Sequence, residues 1–230
     1  MEYLYILFFV IDAFLMYRFM YKDGSMRQKL LTSLPFVVSG LYLTLVSGRY
    51  TSAYAWLIVA GLAASFIGDW VLKYDLFGMK GLPGIIAFAA AHILYISAYA
   101  VRAPLKITDL VLVIPWALML ILEIIAKKKM KVNLGATAPA VLIYAMIIDA
   151  MVVLGIRAAV LTMDGGISVL RSILLIAGIL MFIVSDAGVC LMMFDNRTEI
   201  RTKKKVYRLN SFNIVTYYGG QMLIAAGVLV

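Results

Sequence analysis

Charge all but vanishes from this chain eight times, each time for long enough to cross a lipid bilayer. The runs extend roughly from Tyr3 to Met20, Leu30 to Val46, Ala53 to Leu72, Leu82 to Val101, Leu110 to Ala126, Leu134 to Val153, Ile167 to Phe194 and Phe212 to Val230. About 20 apolar residues make a helix as long as the hydrocarbon core is thick. Inside that core every backbone N–H and C=O needs an internal partner, so such runs cross as helices. With 64% hydrophobic and 14% charged residues, no soluble fold of 230 residues could cover so much apolar side chain. The expected fold is all-α, a polytopic membrane helix bundle with eight transmembrane helices, residues 1–230 forming one integral membrane domain.

The first run is expected to be retained. Glu2 stands where a cleavable leader carries a basic cluster, and no small-x-small site precedes Lys22. Pro83, Pro104 and Pro139 are expected at helix starts or in a loop, and Pro115 is expected to kink the fifth span. Lone Cys190 excludes an intramolecular disulfide.

Basic residues set a direction. Sixteen of the 21 fall at one set of helix ends, among them Arg18, Lys22, Arg27, Lys29, Lys73, Lys80, Lys127 to Lys129, Lys131, Arg197 and Lys203 to Arg208. Arg49, Arg102, Lys106, Arg157 and Arg171 fall at the other. The positive-inside rule then predicts cytoplasmic basic loops, with both termini non-cytoplasmic. A net charge of +9 fits a face held against anionic lipid and not nucleic-acid binding.

Two carboxyls break this apolar pattern beside small residues, in Gly68-Asp69-Trp70 and Ser185-Asp186-Ala187. Ionisable groups at membrane depth are costly and mark function by default. Both lie towards the basic end of their helices, at a level shared by Glu123 and by Asn213, Thr216, Tyr217, Tyr218 and Gln221 of the last span. Gly61, Ala64, Ser65 and Gly68 form a stripe of small residues, as do Gly178, Met181, Ser185 and Gly188, which admits a close neighbour. Asp69 and Asp186 border these stripes and are expected to face the bundle. Asn213, Tyr217 and Gln221 share one helix face, as do Phe88, His92, Tyr95 and Tyr99.

Blander roles compete with each reading. Small-residue stripes serve packing first. Asp12 and Asp149 lack polar neighbours in sequence and are read as structural. His92 suits an interhelical hydrogen bond as well as a ligand contact, and Tyr217-Tyr218 suits an interfacial aromatic belt as well as a site. The lysine runs suit topology and lipid-surface charge.

One histidine and one cysteine cannot build a His/Cys zinc site. No G-x-S-x-G surrounds Ser185, and no phosphate-binding loop or dinucleotide fingerprint appears. Carboxylic acid chemistry with tyrosine and amide helpers remains, and no metal or cofactor is expected. Two carboxyls suit a reaction needing one acid and one base. A rival reading is a proton- or cation-coupled transporter of small molecules or lipids, which predicts polar groups lining a path at both depths. A third is a non-catalytic lipid-binding scaffold.

Gly68-Asp69, followed by Leu72, Phe77, Gly81, Phe88, His92 and Tyr95, resembles the first block of the YhhN membrane family, which includes the lysoplasmalogenases. Ser185-Asp186, Phe194, Thr216-Tyr217-Tyr218 and Gln221 resemble its second. The resemblance implies hydrolysis of the vinyl ether of a lysoplasmalogen in the cell (inner) membrane. The products would be a fatty aldehyde and glycerophosphoethanolamine or glycerophosphocholine. It also implies Asp69 and Asp186 as the catalytic pair, with Asp186 as acid and Asp69 as base or the reverse. His92, Tyr95, Ser185, Asn213, Tyr217, Tyr218 and Gln221 would orient the pair or hold the glycerol and headgroup. The phosphate of this lysophospholipid is expected near Lys73, Lys80 or Arg208.

Overall fold

The computed structural model describes residues 2–130, 132–194 and 203–230, with the backbone alone for Glu2, Lys80 and residues 203–208. Among them are eight long helices: α1 (Glu2–Tyr21), α2 (Met26–Val46), α3 (Ala53–Val71), α4 (Leu82–Arg102), α5 (Val113–Lys129), α6 (Ala138–Leu161), α7 (Ile167–Phe194) and α8 (Lys203–Ala226). All eight contain stretches long and apolar enough to cross a membrane, and the chain is an integral membrane protein. Their starts follow local chemistry. Ser25 Oγ accepts from Gln28 N at 3.2 Å to cap α2, and Ser52 Oγ accepts from Ala55 N at 3.4 Å to cap α3. Pro83 and Pro139 sit in the first turns of α4 and α6, where the missing N–H costs nothing.

The bundle is sorted by polarity in the order a bilayer requires. The α8 span has the lowest mean hydropathy, 1.2, yet is 72% buried. The α5 span, at 2.3, has none of its window buried. Lipid tails offer apolar α5 everything it needs, whereas the hydroxyls and amides of α8 find partners only among other helices. Accordingly α8 packs against α7, α2, α1 and α3, while α5 leans on α6 at the periphery.

Small residues set the closest crossing. A Cβ on Gly178 of α7 would lie 2.9 Å from the carbonyl oxygen of Gly220 on α8, and one on Gly220 would lie 3.0 Å from that of Gly178. The α3 stripe meets side chains instead: the Tyr95 ring covers Gly61 and the Phe88 ring covers Gly68. Between α3 and α4 runs a hairpin of β1 (Asp75–Leu76) and β2 (Met79–Lys80), paired antiparallel with Asp75 opposite Lys80. Phe77 and Gly78 turn it with φ of 56° and 71°, the left-handed pair that two-residue hairpins use.

Three expectations change. The eighth helix starts at Lys203, nine residues before Phe212, because hydropathy marks only its apolar part while lysine and arginine continue a helix readily. The sixth runs on to Leu161, past Val153. Arg157 does not end it, because its guanidinium holds Asp109 at 2.6 and 2.8 Å and the Ala103 carbonyl at 2.6 Å. Pro115 kinks no mid-span: a 3-10 turn (Ile107–Leu112) precedes α5, leaving Pro115 in the first turn of that helix, where proline is tolerated.

Candidate functional site

Helix direction alternates, so the ends of α1, α3, α5 and α7 and the starts of α2, α4, α6 and α8 share the basic end of the bundle. A cavity of about 540 Å³ runs from this end into the bundle. Phe19, Met130, Val132 and Phe194 line it near the helix ends together with Asp69, and Asp186 lines it further in. At 1.5 Å per residue, Asp186 lies about 12 Å before the end of α7 and Asp69 about 3 Å before that of α3. The two carboxyls line one cavity, and each faces the bundle as its stripe predicts.

Their surroundings differ. Asp69 is 2% exposed. Lys29 Nζ stands 3.2 Å from its Oδ1, and the Ser33 hydroxyl donates to its Oδ2. Lys29 and Ser33 are one turn apart on α2, so a single helix face delivers both. Ser33 Oγ also lies 3.4 Å from Tyr218 Oη. Asp186 is less enclosed, with a side chain 15% exposed. Tyr144 on α6 donates to its Oδ2 at 2.5 Å, and His92 Nε2 lies 2.9 Å from Tyr144 Oη and 3.4 Å from the same carboxylate oxygen. With the Tyr144 O–H directed to Asp186, the phenol oxygen can accept from His92 Nε2–H. His92 Nδ1 is buried without a hydrogen-bond partner among the described residues. One aspartate thus has an ammonium and a hydroxyl, the other a tyrosine and a histidine.

Tyr217 lines the same cavity. Its ring packs on Phe36, Phe88 and Phe182, and its hydroxyl donates to the Ser65 carbonyl at 3.3 Å. Tyr217 and Tyr218 are 7% and 1% exposed, which removes the aromatic-belt reading: they are interior residues.

The remaining candidates divide. Ser185 and Asn213 line the cavity and hold each other, with Asn213 Nδ2 donating to the Ser185 carbonyl at 2.7 Å and to its hydroxyl at 2.8 Å. His92, Tyr95 and Gln221 are fully buried behind the lining. Tyr95 donates to Gln221 Oε1 at 3.0 Å, so this pair braces α4 against α8 and does not face the cavity. Lys73 is exposed and outside the lining, while the side chains of Lys80 and Arg208 lie outside the described residues, as does Lys131. Lys29, Ser33 and Tyr144 belong to the site without having been expected there. Asp12 and Asp149 are fully buried, neither lines the cavity, and their carboxylate oxygens have no hydrogen-bond partner among the described residues.

The arrangement offers two carboxyls in unlike settings on the wall of a largely apolar cavity. That shape suits a molecule with an apolar body and a few polar atoms. No curated protein and no solved structure matches the chain. The model of the YhhN family matches residues 28–228, a stretch that includes Lys29, Ser33, both cavity aspartates and Tyr144, and on that match the chain belongs to the YhhN family.

Proposed function

We propose that the protein is a lysoplasmalogenase-like hydrolase of the cytoplasmic membrane, cleaving the vinyl ether of single-chain plasmalogens by carboxyl acid/base catalysis. The observation that carries this reading is the placement of two differently partnered carboxyls on one apolar cavity. Family membership is consistent with it. The positive-inside rule puts the cavity mouth at the cytoplasmic face, so substrate would come from the inner leaflet.

A vinyl ether resists base but opens once its β-carbon takes a proton. Protonation forms a C–H bond and leaves an oxocarbenium centre at the α-carbon, as in glycoside cleavage. Water adds there and gives up a proton, and the resulting hemiacetal parts into aldehyde and glycerol hydroxyl. No net proton is consumed. An ammonium at 3.2 Å suits a carboxylate, so Asp69 is assigned the base that orients water and faces the cation. Asp186, held by Tyr144 and His92 with no lysine or arginine in contact among the described residues, is assigned the acid. Its two partners fix the Oδ2 edge and leave Oδ1 to meet the substrate.

Aldehyde release from a lysoplasmalogen by purified protein in detergent tests this, beside Asp69→Asn and Asp186→Asn. Turnover by the parent protein, lost in both folded variants with lipid binding kept, supports the reading. Equal turnover in either variant would sink the assignment of that residue, and no turnover by well-folded parent protein would sink the hydrolase.

A further inference from the structure

Two lysines line the same cavity as the aspartates, Lys29 at the start of α2 and Lys127 near the end of α5. Each is neutralised by one carboxylate: Lys29 by Asp69, and Lys127 by Glu123 at 3.2 Å one turn away on its own helix. Both side chains are about a fifth exposed, 21% and 22%, so their ammonium groups sit at the boundary between the apolar cavity and the basic end. Glu123 and Tyr144, the partner of Asp186, line this cavity too, and Lys29 stands beside Asp69 in it.

We propose that these lysines form an anion site at the cavity mouth that takes the phosphate of a single-chain phospholipid. The tail would run into the apolar interior and the ether would lie between the aspartates. The anion chemistry rests on geometry alone; the lipid identity rests on the hydrolase reading above.

The argument is one of exchange. An ammonium has three N–H donors, and one carboxylate contact leaves others free. Lysine binds phosphate as a point charge and need not leave its carboxylate to do so. In the unliganded site, the Glu123–Lys127 and Asp69–Lys29 pairs keep the cavity mouth close to neutral. That spares the apolar walls two unpaired cations. A monoanionic phosphodiester then brings one negative charge to a cavity whose wall carries both ammonium groups. Glu123 competes with it directly. The carboxylate is thus a built-in rival, and removing it has the opposite effect from removing the lysine. Lys29 cannot be separated from Asp69, so the α5 pair carries the test.

Binding is measured with a saturated 1-O-alkyl glycerophosphocholine, which has no vinyl ether to protonate, and with the matching 1-O-alkylglycerol, which lacks phosphate. Parent protein, Lys127→Gln and Glu123→Gln are compared in detergent. The parent is expected to prefer the phospholipid by about tenfold or more, the size of one charge-assisted hydrogen bond. Lys127→Gln should erase most of that preference and Glu123→Gln should enlarge it, with alkylglycerol binding unchanged in both as the control for folding. Excess inorganic phosphate that displaces the phospholipid shows that the free anion is also taken; failure to displace it assigns the site to lipid-borne phosphate. Equal affinity for the two lipids, or variants that shift both lipids alike, overturns the anion site. Aldehyde release in the absence of any phosphate preference leaves the hydrolase and removes the site, whereas the preference without aldehyde release does the reverse.

Discussion

Replacing Lys29 by Met removes the one cation that, among the described residues, contacts a carboxyl that is 2% exposed. At 3.2 Å and an effective dielectric of 20, the lost attraction is about 5 kcal/mol. Two features of the site reduce it. Lys29 is partly open to solvent, which weakens the pair. The abandoned carboxyl can also take a proton, which for an ordinary aspartic acid at pH 7 costs about 4 kcal/mol and caps the loss. Ser33 still donates to Oδ2. We therefore expect Lys29→Met to cost about 2–4 kcal/mol, or roughly 5–15 °C in unfolding midpoint for a chain of this size. Asp69→Asn alone should cost less, since an unpaired Lys29 can reach the aqueous end of the bundle. Combining the two changes removes charge and partner together, so the double variant should be more stable than Lys29→Met. Thermal unfolding in detergent, followed by intrinsic tryptophan fluorescence, reads all three. Losses that add to within about 0.5 kcal/mol would refute the reasoning, because uncoupled residues behave that way.

Other expectations follow from the same geometry. Tyr144→Phe leaves Asp186 Oδ2 and His92 Nε2 without the shared hydroxyl, and under the proposed mechanism it should lower kcat by about 10- to 150-fold with KM little changed. A loss confined to KM would make Tyr144 a binding residue instead. Gly178→Val would push a branched side chain into the Gly220 backbone and should cost about 1–3 kcal/mol; an unchanged midpoint would show that α7 and α8 are not in close contact. Cys190 is the sole cysteine and lines the cavity, so a bound single-chain lipid should slow its reaction with maleimide. An unchanged rate at saturating lipid would place the lipid elsewhere.

What could be read from the sequence depended on how local the signal was. Each spanning run announces itself within about 20 residues, and a carboxyl inside one stands out against it. Asp69 and Asp186 were accessible on that ground, and the glycine stripes showed which way they faced. Tyr144 was not, because a tyrosine in an apolar run reads as one more large side chain until its hydroxyl partner is known. That partner is Asp186, 42 residues away, and only the packing of α6 beside α7 brings them together. Lys29 was hidden differently: it shares its end of the bundle with fifteen other basic residues, and nothing local marks the one that turns inward. The buried polar side chains one turn along α2, Thr32 and Ser33, were the available hint.

The polarity order of the bundle has a consequence for how the protein is made. Seven helices reach the membrane before α8, and the α8 span, with the lowest hydropathy, is the one lipid alone holds least well. It supplies Asn213, Tyr217 and Tyr218 to the cavity and packs on four other helices. Until it docks the cavity lacks that wall, and its hydroxyls and amides have no helix to bond to. Completion of the cavity therefore waits on α8. A nascent chain stalled before residue 203 would sit in the membrane as seven helices, with both carboxyls present and the α8 wall of their cavity missing.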